Sequence, residues 1–340
     1  MDTSRVCAKK YNIAVKRCYM FRAVLVIGVL AAACAAGQTS GQTPGQAKSW
    51  TPPRTPDGQP DLQGLWTNAT LTPLERPTDL AGKQFLTEQE AKEFAKRALN
   101  DVDADRRDGG GVTDVNRAYN EFWRERGNVT PDRRTSLIVD PPDGRVPALT
   151  PQAQKLVAAR ADAAKLHPGD GPEDRSLAER CLVMGNGGPP MLPSNYSSNY
   201  RIVQNPNFVA ILVEQIHDAR IIPLDGRPHI SADLRQWMGD SRGHWEGNTL
   251  VVETTNFTDK TNFRGSGEHM KLIERFTRTG PDSIMYEFTV NDPESFTKSW
   301  TARIPMAKTT GPLLEYACNE GNYAMSGILA GLRAEEKKSK

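Results

Sequence analysis

Arg235-Gln-Trp-Met-Gly-Asp-Ser-Arg-Gly-His-Trp-Glu-Gly-Asn-Thr-Leu-Val-Val-Glu253 is the stretch that decides how the second half of the chain folds. Gly247-Asn248 reads as a two-residue hairpin turn, because Gly and Asn tolerate the positive φ that tight turns between strands require. The turn sets the register. Glu246 faces Thr249, His244 faces Val251 and Arg242 faces Glu253, all on one face, while Trp245, Leu250 and Val252 take the other. Arg242 and Glu253 then form a cross-strand ion pair, with His244 one step along the same face. Directed into a barrel, this face is a charged constellation suited to acid–base work, since burial and neighbouring charge shift pKa values. Directed to water, it is a solvated hairpin with its apolar side as core.

Outward from the hairpin, short segments rich in β-branched and aromatic residues recur between turn signals at 200–204, 208–214, 219–224, 242–246, 249–255, 271–278, 283–290, 296–304 and 313–318. Strands at such close spacing predict an antiparallel barrel or sandwich. The first half differs. Residues 50–82 hold six prolines around Leu62, Leu65 and Trp66 and predict an extended wrap. Thr87-Glu-Gln-Glu90 is a capping box opening a helix over 87–98, and Thr150-Pro151 opens another over 150–165. Tyr119, Phe122 and Trp123 recur at helical spacing. A long Gly/Pro/Asn/Ser-rich loop follows at 167–198, and a helix at 324–336 ends the chain.

Several carboxylates interrupt apolar strand faces: Glu214 beside Ala210 and Leu212, Glu274 between Leu272 and Phe276, Glu315 between Leu313 and Ala317. Such groups need partners, and Arg220, Arg275, Arg278 and Arg303 are the candidates. The five histidines, His167, His217, His229, His244 and His269, match no zinc spacing, so no metal site is predicted. Asp225-Gly-Arg-Pro-His229 reads as a turn into a loop that carries His229 toward the hairpin. There is no G-x-S-x-G, no P-loop and no dinucleotide fingerprint, which argues against an α/β hydrolase and against a nucleotide cofactor.

The 340 residues carry a formal charge of +2. Residues 1–36 contribute six basic side chains and one acidic, so the remainder holds 37 basic against 40 acidic and offers no basic surplus for nucleic acid. Arg22 precedes an apolar run ending in small residues at Cys34-Ala-Ala-Gly37, which reads as a signal peptide. Two cleavage sites fit: before Cys34, which would then carry a lipid anchor, or after Ala36. The expected plan is a signal peptide at 1–36, a flexible linker at 37–49, the wrap, helices and long loop at 50–198, and a barrel with a C-terminal helix at 199–340. Export to the periplasm, the outer membrane or the medium follows. Cys181 and Cys318, the two cysteines outside the leader, predict a disulfide worth up to roughly 5 kcal/mol, with two separate buried thiols as the alternative.

Trp50-Thr-Pro-Pro-Arg-Thr-Pro-Asp-Gly-Gln-Pro-Asp-Leu-Gln-Gly-Leu-Trp66, residues 239–253, Glu274-Arg-Phe-Thr-Arg278 and Glu315-Tyr-Ala-Cys-Asn-Glu-Gly-Asn-Tyr323 resemble an abundant family of exported proteins of environmental bacteria. Where that family has Ala-Cys-His-Glu, this chain has Ala317-Cys-Asn319-Glu320. The resemblance implies export and a shared fold and brings no activity with it. The strand-rich half also looks loosely like lipocalin-type barrels.

The expectation is therefore an α+β protein with a C-terminal, lipocalin-like antiparallel β-barrel. Its function is expected to be acid–base catalysis of the hydrolase, lyase or isomerase type, on a polar or aromatic small molecule or saccharide at the barrel mouth. His244 would be the general acid or base, Glu253 and Arg242 its orienters, and Asp240 and His229 their partners. Trp237, Glu246, Glu274 and Tyr316 would contact substrate. The alternative is a non-catalytic lipoprotein that binds a small ligand in the same cavity. No oligomeric state follows from the sequence.

Overall fold

Alternation of buried and exposed side chains over residues 199–308 produces eight strands in a computed structural model that describes residues 50–103, 105–117, 124–185, 187–261 and 263–338. The expected leader and tether, Cys34 with them, and the aromatic set Tyr119, Phe122 and Trp123 lie outside the described residues. The eight are β3 (Asn199–Gln204), β4 (Phe208–Val213), β5 (Ala219–Pro223), β6 (Asp240–Glu246), β7 (Thr249–Thr255), β8 (Lys271–Gly280), β9 (Ser283–Asn291) and β10 (Trp300–Lys308). Two more come from the first half, β1 (Gly64–Thr67) and β2 (Ile138–Asp140).

The antiparallel sheet runs β5-β4-β3-β1-β10-β9-β8-β7-β6, with β2 added beside β10. Its ends curl toward each other into a nearly closed barrel. At the seam, a Cβ on Gly243 of β6 would stand 2.8 Å from Ile222 Cγ2 of β5 and 2.8 Å from Leu224 Cδ2, so only glycine lets the edges come this close. The expected wrap is at Gly64–Thr67 a strand in mid-sheet: Leu65 pairs with Arg201 on one side and Trp66 with Lys308 on the other. Its Trp66 points inward, fully buried, and donates Nε1–H to the Leu62 carbonyl at 3.0 Å.

Side chains fill the interior. Phe276, Tyr286, Phe288 and Trp300 form a continuous aromatic file with centroid separations of 4.9, 5.9 and 5.6 Å, and all four are inaccessible to solvent. Burial of such rings is the main favourable term holding the barrel together.

Four helices lie outside the sheet among the described residues: α1 (Glu88–Asp101), α2 (Gly111–Arg117), α3 (Pro151–Leu166) and α4 (Ala324–Lys338). The capping box of α1 forms as expected, Thr87 accepting from the Glu90 backbone while Glu90 accepts from that of Thr87. Hydrogen bonding from Lys83, then from Thr87, lowers the Glu90 carboxyl to about 2. Thr150 caps α3. No described helix is long and apolar enough to cross a membrane. The strand expected at 313–318 does not form: Gly311 (φ +113°) and Pro312 turn the chain off the sheet after β10, whose edge is already taken by β1. The segment is held instead by Cys318, bonded to Cys181 with an Sγ–Sγ distance of 2.02 Å. The disulfide expected from the two cysteines is thus present, tying the C-terminal segment to the loop before β3.

Candidate functional site

The β6–β7 hairpin has the expected register, Arg242 opposite Glu253, His244 opposite Val251 and Glu246 opposite Thr249, with Gly247 at φ +60°. Its charged face points outward, which corrects the inward reading. Ser241, Gly243, Leu250, Val252 and Thr254 face the core, and the small residues on β6 leave room for Ile222 and Leu224 at Gly243 and for a further side chain from β5 at Ser241. That side chain is Arg220.

The outward face divides in two. Toward the turn, His244 is 61% exposed and meets only Glu246, Nε2 to Oε1 at 3.2 Å. Glu246 is also bound by Arg275 at 2.8 Å, and Arg275 first, then His244, hold its carboxyl below the ordinary carboxylate range. This end is the solvated hairpin. Toward the start of β6, loop residues 224–239 fold back over the sheet and the face is covered. His229 Nδ1–H meets Oδ2 of Asp240 at 2.7 Å, and His229 Nε2 lies 3.5 Å from Oε1 of Glu253. Here His229 is 24% exposed and Asp240 only 8%.

Each carboxylate has its own cation. Arg242 Nη1 is 2.8 Å from Asp240 Oδ1, and Lys271 Nζ is 2.6 Å from Glu253 Oε2. The loop is pinned as well: the Ile230 amide donates to Asp240 Oδ2 at 3.3 Å, Arg242 Nε donates to the Pro228 carbonyl at 3.0 Å, and Asn256 Nδ2 donates to the carbonyl of Ser231 at 2.8 Å. Because an ionised carboxylate only accepts, Asp240 places the ring proton on Nδ1 and leaves the Nε2 lone pair for a second partner. Four of the five expected catalytic residues, His229, Asp240, Arg242 and Glu253, therefore converge, and His244 does not join them. Lys271 is an addition. It sits diagonally from Glu253, whose partner on β8 is Ile273, a register that the fifteen-residue connection 256–270 is too long to fix as a two-residue turn does.

The expected substrate contacts are scattered. Glu246 belongs to the exposed end. Glu274 is wholly inside the barrel, bound by Arg220 through both carboxylate oxygens and by Tyr286 Oη–H at 2.8 Å. The buried carboxylate thus has one of the arginine partners foreseen for it. Tyr316 packs edge-on against Tyr196 at 5.8 Å and accepts at its carbonyl from His217 Nδ1 at 3.1 Å. Both tyrosines line a hollow of about 280 Å³ with Glu125 and Glu214. There, Asn199 Nδ2 donates to Glu125 Oε1 at 2.6 Å and to Glu214 Oε2 at 2.7 Å. Burial, reinforced by the Glu125 charge, raises the Glu214 carboxyl above its ordinary value. Glu315 is exposed nearby.

Trp237, the remaining expected contact, lines a pocket of about 360 Å³ between the loop at 256–270 and residues 176–190. This loop joins β7 to β8, and the Trp237 loop, which also carries His229, leads into β6. Among the described residues, no group of three or more His, Cys, Asp or Glu side chains is arranged to hold a metal ion.

No protein-family model matches this sequence, and no curated protein matches it either.

Proposed function

We propose that the protein is an exported acid–base enzyme of the hydrolase, lyase or isomerase class, acting on a small polar or aromatic molecule at the barrel rim, with His229 as the proton-transferring residue. The observation that carries this reading is the 2.7 Å contact of His229 with Asp240, which sets the tautomer needed for proton uptake at Nε2. In the proposed cycle, Nε2 removes a proton from substrate. Glu253 stabilises the resulting imidazolium, and His229 then returns the proton to the product or leaving group. Arg242 and Lys271 hold the two carboxylates in place. The disulfide supports export, since such bonds persist in oxidising compartments. The finer likeness to lipocalins belongs to this proposal only as barrel shape. Aromatic side chains occupy the interior positions, which supports a substrate site at the rim rather than inside the barrel.

The test is a panel of aryl esters, lactones, aryl glycosides and enolisable carbonyl compounds, offered to the wild type and to Asp240→Asn. Turnover by the wild type that falls at least tenfold in Asp240→Asn, with the melting temperature retained, supports the reading. Absence of turnover across the panel, or an unchanged Asp240→Asn rate, counts against it.

A further inference from the structure

The 360 Å³ pocket beside Trp237 falls within the size range of small-molecule sites. Trp237, Phe263, Leu177, Val183, Pro189 and Pro190 form the apolar part of its wall. Two of these residues are anchored to their surroundings. Phe263 stacks on Trp300 at 5.9 Å with an interplanar angle of 20°, and Trp300 is the fully buried end of the aromatic file, so the pocket floor is an extension of the core. Trp237 is tied to the opposite loop through its carbonyl, which accepts from Thr261 Oγ1 at 2.8 Å, and the Thr258 amide donates to the neighbouring Gln236 carbonyl at 3.1 Å. A preformed apolar slot of this kind costs little to order when a ligand enters.

One charge borders the slot. Among the described lining residues, Lys260 alone is ionisable. It makes no ion pair with a described residue, and the adjacent Asp259 turns to Arg160, whose Nη2 donates to the Asp259 carbonyl at 3.0 Å. The neighbouring hydroxyls are already engaged, Thr261 with Trp237 and Ser176 with Glu179 Oε2 at 2.8 Å. The described lining therefore offers two aromatic side chains and one ammonium. The ammonium favours an anionic ligand and repels a cation.

We infer that this pocket binds a small aromatic carboxylate, its ring between Trp237 and Phe263 and its carboxylate on Lys260. The inference does not depend on His229 or on any turnover, because it concerns binding alone.

Calorimetric titration of the protein with 1-naphthoate and with its neutral isostere 1-naphthamide tests it. Naphthoate should bind about tenfold more tightly than the amide in the wild type, as one charge-assisted contact would give. Lys260→Gln should remove that preference while leaving amide binding intact, and Trp237→Ala should weaken both ligands. Lys260 is exposed, so its replacement leaves the fold in place. Equal affinity of the two compounds in the wild type, no binding at millimolar concentration, or naphthoate binding that survives both substitutions would overturn the inference.

Discussion

Arg220 on β5 reaches across the open seam of the barrel to Glu274 on β8, its Nη1 donating to Oε1 at 3.0 Å, and both side chains are almost completely removed from water. On the way its Nε donates to Ser241 Oγ of β6 at 3.0 Å, and Nη2 donates to Thr254 Oγ1 of β7 at 2.9 Å. Strands β5 and β6 are not paired by a backbone ladder, so the guanidinium takes that place. On the far side, the Met191 amide donates to Tyr286 Oη at 3.0 Å, extending the network to the loop before β3.

Breaking this pair strands a charge in the core. Glu274→Gln should therefore lower unfolding stability by about 3–5 kcal/mol, and the double replacement of Arg220 and Glu274 by Met should recover most of that loss. Urea unfolding of the three proteins measures both quantities. A Glu274→Gln variant within about 1 kcal/mol of wild type would show that water reaches the pair.

The disulfide closes a loop of 137 residues and joins the C-terminal segment to the body of the fold. Cys181→Ser with Cys318→Ser should reduce stability by about 2–5 kcal/mol, on the chain-entropy scale for a loop this long. The same loss is expected on reduction of the wild type, and no additional loss on reduction of the variant. Calorimetry in the presence and absence of reductant separates these cases.

Glu214 predicts a pH dependence of defined sign. Burial, with the Glu125 charge added, raises its folded-state pKa above 4.5, so the folded state holds its proton more tightly than the unfolded chain does. The contribution to stability is therefore fully present below the unfolded value and is lost as pH rises through the folded value. Carboxyl ¹³C titration should find Glu214 above the ordinary glutamate range, and Glu125→Gln should move it down. A Glu214 titration at the ordinary value would contradict the burial described here.

Much of this architecture was legible before any coordinates. The hairpin register followed from Gly247-Asn248, and Glu274 between Leu272 and Phe276 announced a buried carboxylate for which Arg220 was one of four candidate partners. The direction of the hairpin was not legible, because one face carries Arg242, His244, Glu246 and Glu253 and the other Trp245, Leu250 and Val252, and either can turn inward until Arg220 is seen bonded to Ser241 inside the seam. Gly64–Thr67 was hidden as a strand by flanking prolines and by partners more than a hundred residues away. At the site, the approach of His229 could be anticipated from the loop that carries it. The separation of His244 from that cluster could not, since both histidines lie on one outer face and only the cover of residues 224–239 distinguishes them.

The account rests on His229 rather than His244, and rates measured side by side for His229→Ala and His244→Ala on the best panel substrate test it most directly. His229→Ala should lose about 10²–10⁴-fold in turnover, the contribution expected of a general acid or base. His244→Ala, altering an exposed pair at the hairpin turn, should keep the wild-type rate. Full turnover in His229→Ala, or an equal loss in His244→Ala, would contradict the account.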